Sequence, residues 1–211
     1  MKWVVAFSTA FLLSGCIVSG TMPVVPVPNG GDSLRVAGAS YAYGYLADTF
    51  SYHGALWVHY ALHWKDRGGV SLVDREALWF NLGMGLYTEE GTTYNGIAAG
   101  VGVYFMGTLP FDWFDIEYGL FSGGGVELSN YVANLFSGEV SNEGIVIYPW
   151  VGVGLPAAIR IPLGNNSSVS FGAALFPPTI TLYGMLRMEE FTLVVERKHW
   201  RLYTIGLYIS N

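Results

Sequence analysis

The amino-acid sequence predicts an all-β fold, a closed antiparallel up-and-down β-barrel of 8 to 10 strands. Residues 77–106 contain two consecutive segments in which apolar side chains recur at every second position, which is the pattern of a hairpin with one continuous apolar face. The apolar positions are Leu78, Phe80, Leu82, Met84 and Leu86 in the first segment and Ile97, Ala99, Val101, Val103 and Phe105 in the second. Glycine, alanine, asparagine and aromatic residues occupy the positions between them.

The composition indicates that much of the surface does not face water. Charged residues make up 12% of the 211 residues and hydrophobic residues 52%, whereas a soluble domain carries about 25% charged residues. Small residues on the face opposite the apolar one fit the narrow, side-chain-filled interior of a small barrel. The formal net charge of −6, with ten lysines and arginines dispersed along the chain, excludes nucleic acid as an expected partner.

Ten segments have the alternation expected of strands, or eight if the last ones merge. They cover approximately residues 33–48, 51–65, 77–87, 97–106, 114–120, 144–163, 169–175, 180–188, 191–195 and 203–209. Pro149 and Pro156 predict a bend or bulge in their strand. The pair Glu189-Glu190 predicts a two-residue turn that keeps Met188 and Phe191 on the same face.

Residues 122–144 break the alternation and form the longest irregular stretch. Five residues within it have helical spacing and predict one short amphipathic helix that ends at Gly138: Leu128, Tyr131, Val132, Leu135 and Phe136. We expect this 122–144 segment to be the surface through which the protein contacts other proteins or lipid.

The first sixteen residues predict a targeting signal. Residues 1–15 contain one positive charge, a short apolar run and small residues, and they are too short for a spanning helix. Leu13-Ser14-Gly15-Cys16 resembles the lipobox of bacterial lipoproteins at all four positions, and this resemblance implies a covalent lipid on Cys16, the only cysteine. An ordinary signal peptide with an incidental cysteine is the alternative. Ile17 after the cysteine, by the same resemblance, favours the outer membrane.

The domain organisation follows from these features. We predict a signal peptide at 1–15, a lipidated cysteine with a Pro/Gly-rich tether at 16–32, and one barrel domain at 33–211. Aromatic residues at strand ends are candidates for membrane-interface girdles: Trp64, Phe111, Tyr148, Trp200 and Tyr203. In its pattern the barrel region resembles the small outer-membrane barrels of the OmpA, OmpX and OmpW kind, although it lacks their frequent C-terminal phenylalanine. That resemblance implies a barrel in the cell outer membrane, in contact with the lipid bilayer.

Two other architectures are compatible with parts of the pattern. Residues 91–111 carry no charge and contain Gly96 and Gly100 at the spacing of a helix-dimer motif, which would suit a spanning helix. A membrane-tethered periplasmic barrel, similar to lipocalins, would turn its apolar faces inward around a hydrophobic ligand. The membrane-spanning barrel and this tethered barrel differ in which face of the sheet contacts water.

The sequence predicts a set of charged side chains inside the barrel and no catalytic centre. Asp115 and Glu117 lie on one inward face, with Arg160, Arg187 and Glu196 as further inward charges, so we expect a lumen ion-pair network. His53, His59 and His63 share one strand face, but at ~3.3 Å per residue they are too far apart to bind one metal ion, and we expect no metal and no cofactor. We find no local His-x-Ser motif of the kind found in lipid A deacylases and predict a structural or interaction role rather than an enzyme.

Overall fold

The computed structural model is a closed antiparallel barrel of ten strands, as the alternation predicts. It describes residues 35–47, 50–66, 73–89, 91–133, 140–141, 144–164, 166–176, 179–198 and 201–210. The strands are β1 (Arg35–Ala47), β2 (Phe50–Asp66), β3 (Arg75–Glu89), β4 (Thr92–Pro110), β5 (Asp115–Ser129), β6 (Val132–Ala133), β7 (Val140–Ser141), β8 (Val146–Gly164), β9 (Ser167–Phe176), β10 (Thr179–Arg187), β11 (Phe191–Lys198) and β12 (Arg201–Ser210). The short β6 and β7 pair only with each other, and the other ten close the barrel through β1 and β12.

The signal peptide, Cys16 and the tether lie outside the described residues, and so does the start of the predicted barrel domain at 33–34. The upper rim is defined here as the end of the barrel where residues 130–145 connect β5 to β8. The lower rim is the opposite end, where β1 begins and β12 ends.

The strands are strongly tilted against the barrel axis. A row of paired residues that begins at Arg160 in β8 passes once around the barrel and returns to β8 at Tyr148, which is 12 positions earlier in the chain. The row runs through Ser170, Met185, Val194, Gly206, Ser40, Trp57, Gly83, Ala98 and Glu127. A stagger of this size over ten strands corresponds to a tilt of about 40°.

The alternation of each strand separates an apolar outside from a mixed inside, with the orientation that a membrane barrel requires. Leu82 and Val101 are 54% and 45% exposed, and their apolar neighbours on β3 and β4 also point outward. The lipocalin-like alternative, which needs these side chains inside, is therefore wrong. The helix considered for 91–111 is also wrong, because β4 pairs with β3 and β5 along this stretch. None of the described residues belongs to a helix long and apolar enough to cross a membrane.

The predicted helix in 122–144 is wrong in its described part. Leu128 lies in β5, which continues to Ser129, and Val132 lies in β6. Leu135, Phe136 and Gly138 lie outside the described residues. The period-two pattern is lost at Gly123, Gly124 and Gly125 because glycine has no side chain that would distinguish one face of the strand from the other.

Pro149 and Pro156, the two prolines for which a bend or bulge is predicted, do not shift the register of β8, whereas the pairing of β8 with β9 shifts between the third proline, Pro162, and Gly164. Pro149 pairs with Val126, and the pairing of β8 with β5 has the same register before and after Leu155 and Pro156, where Gly119 and Leu120 are not bridged. The Glu189-Glu190 turn is confirmed, since the amide of Met188 donates a 2.8 Å hydrogen bond to the carbonyl of Phe191.

The barrel wall is uneven in height. β4 and β8 have 19 residues each, whereas β11 has 8. At the tilt above, these lengths correspond to about 45 Å and about 20 Å along the axis. β8 pairs with β9 only from Leu155 to Gly164, so the wall formed by β2 to β5 and β8 extends beyond β9 to β12 at the upper rim.

Tryptophan side chains fill the lumen at half height because glycines opposite them leave room. A methyl carbon added at Gly83 would lie 2.5 Å from the Trp57 ring, and one added at Gly102 would lie 2.5 Å from Trp79 and in collision with the Ser122 carbonyl. Trp79 stacks on Phe121 at 4.7 Å between ring centroids and on Trp150 at 6.4 Å. Trp57 and Trp79 are fully buried in this layer.

We expect Gly102→Ala to destabilise the barrel by about 1–3 kcal/mol, because the added methyl group must displace a tryptophan ring and backbone that are already packed. The measurement is the temperature at which the folded band disappears in a heat-modifiability gel. Gly152→Ala is the matched control, since the nearest side-chain atoms to its added methyl lie at 3.8 Å. Equal transition temperatures for the two variants would contradict the packing explanation.

Candidate functional site in the barrel lumen

The lower part of the lumen contains an ion pair whose two members are also hydrogen-bonded to one serine. Nη2 of Arg187 donates to Oε2 of Glu117 at 2.9 Å, and both side chains are 2% exposed. Nη1 of Arg187 donates to Oγ of Ser170 at 2.5 Å, and the Ser170 hydroxyl lies 3.3 Å from the same Glu117 oxygen. The strand register explains this contact, because Arg187 in β10 lies opposite Ser168 in β9, one inward position from Ser170.

The other predicted lumen charges form separate pairs rather than one network. Asp115 lies opposite Arg160 in the β5–β8 register, with 3.5 Å between Oδ2 and Nη1 and partial exposure of both. Glu196 is buried higher in the lumen, beside Lys198, with 3.9 Å between its Oε2 and the lysine Nζ. We refer to Asp115, Glu117, Arg160, Ser170 and Arg187 as the lower lumen cluster.

Sequence reasoning missed several charged and polar residues of the lumen. Arg75 lies over the lower lumen cluster, where its guanidinium donates a 3.4 Å hydrogen bond to Thr108. Asp74 accepts a 2.5 Å hydrogen bond from the amide of Thr108. Lys198 is buried although it lies beyond the predicted strand 191–195. Its inward direction could have been read from the parity of Val194 and Glu196 on the same strand.

A hydrogen-bonded chain of three polar side chains crosses β1, β2 and β3. The Oγ of Ser40 lies 3.1 Å from Nε2 of His59, and Nδ1 of His59 lies 2.8 Å from Oδ1 of Asn81. If Nδ1 carries the proton and donates to Asn81, Nε2 accepts from the serine hydroxyl, which is the arrangement of a nucleophile, a base and an orienting group.

The hydrogen-bonded side chains of Ser40, His59 and Asn81 are buried in the barrel. Ser40 and His59 are each 2% exposed, and the imidazole is placed between the rings of Trp57 and Tyr208 at centroid distances of 6.1 and 5.6 Å. The geometry therefore satisfies three buried polar groups, as a filled lumen requires. The side chains of His53 and His63 lie outside the described residues, and no group of potential metal ligands occurs among the described ones.

Tyrosines close the lumen below the upper rim. The rings of Tyr87 and Tyr94 stack at 5.5 Å, and Tyr131 meets Tyr94 edge-on at 5.0 Å. The hydroxyls of Tyr87 and Ser129 lie 2.7 Å apart. Partial burial raises the pKa of the Tyr131 phenol above its ordinary value, and the neighbouring Glu89 carboxylate raises this pKa further, so the hydroxyl stays neutral.

The 130–145 connection is tied to the barrel at its base. The amide of Asn130 donates to the Asn95 carbonyl at 3.1 Å, and the Asn95 amide donates to Oδ1 of Asn130 at 2.7 Å. The Tyr148 hydroxyl donates to the Tyr131 carbonyl at 2.6 Å. Tyr148 thus lies on the inner face of β8, and its predicted place in an outer girdle is wrong.

Two other predicted girdle residues do face outward. Phe111 is exposed at the lower rim, where it stacks on Phe114 at 4.8 Å next to the exposed Trp113. Tyr203 is exposed near the upper rim. The side chains of Trp64 and Trp200 lie outside the described residues.

The comparisons with known proteins find similarity only at the level of the fold. No protein-family model matches the chain, and no curated protein matches it significantly. Among solved structures, the chain resembles the outer membrane enzyme PagL (13% identity, 82% of this chain and 98% of that chain, TM-score 0.30). It also resembles Neisserial surface protein A, NspA (10%, 85% and 96%, TM-score 0.34), and the beta domain of the Bordetella autotransporter BrkA (11%, 85% and 99%, TM-score 0.38). These TM-scores are too low to transfer residues or activities, so the fold assignment depends on the strand pairing above.

We expect Glu117→Gln to lower the free energy of unfolding by several times more than Asp115→Asn. Loss of the Glu117 carboxylate leaves the buried Arg187 without its countercharge, at a cost of about 3–5 kcal/mol for a buried pair. Asp115 pairs with a solvent-accessible arginine, for which the cost is about 0–1 kcal/mol. Denaturant titration in micelles measures both, and equal losses would contradict the assignment of Glu117–Arg187 as the central pair.

The combined variant Asp115→Asn with Glu117→Gln should lose at least as much stability as Glu117→Gln alone, because it removes the carboxylate partners of both Arg160 and Arg187. An unchanged melting temperature of this double variant in detergent would count against a stabilising role for the lower lumen cluster.

Proposed function

We propose that the protein is a membrane-spanning β-barrel of the bacterial outer membrane, anchored in addition by a lipid on Cys16, with a structural or interaction role. The observation that carries this proposal is the orientation of the strands. Apolar side chains cover the outside, and the charged, hydrogen-bonded and bulky aromatic side chains fill the inside. A closed ring of paired strands satisfies the backbone hydrogen-bonding groups in hydrocarbon, and the α-helix is the other structure that does so.

The orientation in the membrane follows from the connections. Transmembrane barrels of this type have short periplasmic turns and longer extracellular loops. The lower rim carries both described strand termini and connections of two to eight residues, and the upper rim carries the longest connection, 130–145, beside four connections of two residues. The proposal therefore directs the lower rim to the periplasm. A lipid on Cys16 would then reach the membrane on the periplasmic side through residues 17–34.

The packed lumen supports a closed barrel rather than a pore. The lower lumen cluster, the tryptophan layer and the tyrosines at the upper rim each occupy one level of the lumen. A role in contact with other molecules would then depend on the outer surface and on the 130–145 connection. Of the predicted contact segment 122–144, residues 122–129 belong to β5, where Val126 and Leu128 face outward and would contact lipid.

We propose no catalytic role, although Ser40, His59 and Asn81 have the order and spacing of a hydrolytic triad. A nucleophile must reach the acyl carbon of a substrate at about 3 Å. Ser40 is only 2% exposed, so a substrate cannot approach its hydroxyl. Trp57 lies directly opposite Ser40 in the β1–β2 register.

We expect residues 33–211, expressed without the signal and tether, to fold in detergent micelles or bilayers and to aggregate in buffer. Folding is measured by β-sheet circular dichroism and by heat-modifiable migration on a gel. The full chain with Cys16→Ser should lose the lipid but remain resistant to extraction by alkali. A soluble folded 33–211 domain, or release of the Cys16→Ser barrel by alkali, would contradict a spanning barrel.

We expect Ser40 in the folded barrel to resist a fluorophosphonate probe for reactive serines, with the same background labelling as Ser40→Ala. The physical reason is the burial of the hydroxyl between Trp57 and His59. Labelling of the native barrel that disappears in both Ser40→Ala and His59→Gln would establish an activated serine and overturn the non-catalytic role.

A further inference from the structure

We propose that two copies of this chain associate through the tall wall, which we define as strands β4, β5 and β8, with the tall wall of one copy packed against that of the other. The inference starts from an edge of the sheet that β9 leaves uncovered. β9 ends at Phe176 and pairs with β8 only from Leu155 towards the lower rim. Among the described residues, Val151 and Val153 of β8 therefore have strand partners on β5 alone.

The backbone groups of these two valines point towards the uncovered edge. Pro149 pairs in register with Val126 of β5 although proline has no amide hydrogen, so its nitrogen faces away from β5. Val151 and Val153 follow Pro149 at alternate positions, and the backbone groups of alternate residues in a strand point to the same side. An open sheet edge does not occur in hydrocarbon, because water cannot reach its free groups there. The hydrocarbon layer therefore ends near the top of β9.

Apolar side chains nevertheless continue above that level on the outer face. Val151 is 83% exposed and Ile147 is 63% exposed. Ile147 pairs with Leu128 of β5, and Leu128 pairs with Ile97 of β4, so these three form one outward row. We refer to Ile97, Val126, Leu128, Ile147 and Val151 as the high apolar patch. A lone barrel leaves this patch against polar headgroups rather than acyl chains, and an exposed apolar patch of this kind marks a contact surface.

The area of the tall wall suits a second copy of the chain. The high apolar patch covers about 200 Å² on three strands at ~4.8 Å spacing, which is too small for a dimer by itself. The same outer face continues to the lower rim, and over its whole height it covers about 600 Å² on each copy. The sum for two copies, about 1,200 Å², reaches the size of a specific interface.

The chemistry of the tall wall also suits its own copy. The described outward residues of β4, β5 and β8 carry no charge, so two copies meet without like-charge repulsion. Small outward residues below the patch, Ala99, Ser122 and Gly124, allow close approach in the membrane, where packing rather than the hydrophobic effect drives association. A two-fold axis along the membrane normal brings the two walls together and keeps both barrels in the same orientation.

This inference rests on the proposed membrane-spanning barrel and is tested with the full-length protein in detergent micelles. Sedimentation equilibrium in density-matched detergent measures the dissociation constant of the dimer. We expect Ile147→Gln to raise this constant about tenfold, because the interface would then have to desolvate an amide in place of an apolar side chain. Ile180→Gln is the matched control, since Ile180 is 59% exposed at the upper-rim end of β10, outside the tall wall, and should change the constant less than twofold.

A second pair of variants keeps the outer face apolar and therefore does not endanger folding. Ala99→Leu adds bulk in the middle of the tall wall and holds the two copies apart, so it should also raise the dissociation constant about tenfold. Ala39→Leu places the same side chain on β1, where the alanine is likewise exposed on the outer face, and should change the constant less than twofold. This pair decides the question if Ile147→Gln does not fold.

The outcomes separate this proposal from the proposed function, because heat-modifiable migration is measured on the same samples. A folded, heat-modifiable barrel that is monomeric at every protein concentration would overturn the dimer, assign the high apolar patch to lipid or another protein, and leave the proposed function standing. A dimer that the tall-wall variants weaken no more than their controls would also overturn the interface. Loss of a folded membrane barrel in the unmodified protein would instead overturn the proposed function.

Discussion

The structure depends on one constraint, that every backbone amide and carbonyl in hydrocarbon must have a partner within the protein. Ten strands meet it by closing on themselves, and the last pairing, between β1 and β12, removes the two free edges that an open sheet would have. Closure also fixes the two environments of the side chains. Once the ring is closed, alternate residues of each strand face either the lipid outside or the lumen inside. The lumen is about as wide as a few side chains.

That division explains why the lumen is built from very large and very small residues. A tryptophan from one strand extends over glycines of the neighbouring strands, as Trp79 does over Gly102 and Gly123. A β-branched residue at either glycine would collide with the ring, and an alanine in place of the tryptophan would leave a void. The charged groups of the lower lumen cluster follow the same rule at another level, because a narrow interior accepts a carboxylate only together with its countercharge.

The period-two pattern of the sequence was sufficient for the fold class and for which residues of each strand share a face, but it left the strand count between 8 and 10 and did not decide whether the apolar faces point outward or inward. The pattern failed to predict the strand where residues have no side chain to show which face they occupy. Gly123, Gly124 and Gly125 hide the continuation of β5, and the residues after them then match a helical spacing by chance. The site was predicted in part: Glu117 and Arg187 face the lumen as the parity requires, but parity does not give the strand register, which decides that Arg187 meets Glu117 and Ser170. Ser40, His59 and Asn81 come from three strands and are brought together only by that register.

The constraint that closes the sheet also gives meaning to charge on the outside. A cation inside the barrel can be neutralised by a carboxylate, and Arg160 and Arg187 each pair with one on β5, whereas Lys198 pairs with Glu196 of its own strand. On the outside, the exposed Arg197 and Arg201 lie near the upper-rim ends of the short strands β11 and β12, above Val195 and Ile205. The longer strands β3, β4 and β5 carry outward apolar side chains such as Leu86, Ile97 and Leu128 beyond that level, so the upper boundary of the apolar surface is as uneven as the wall itself.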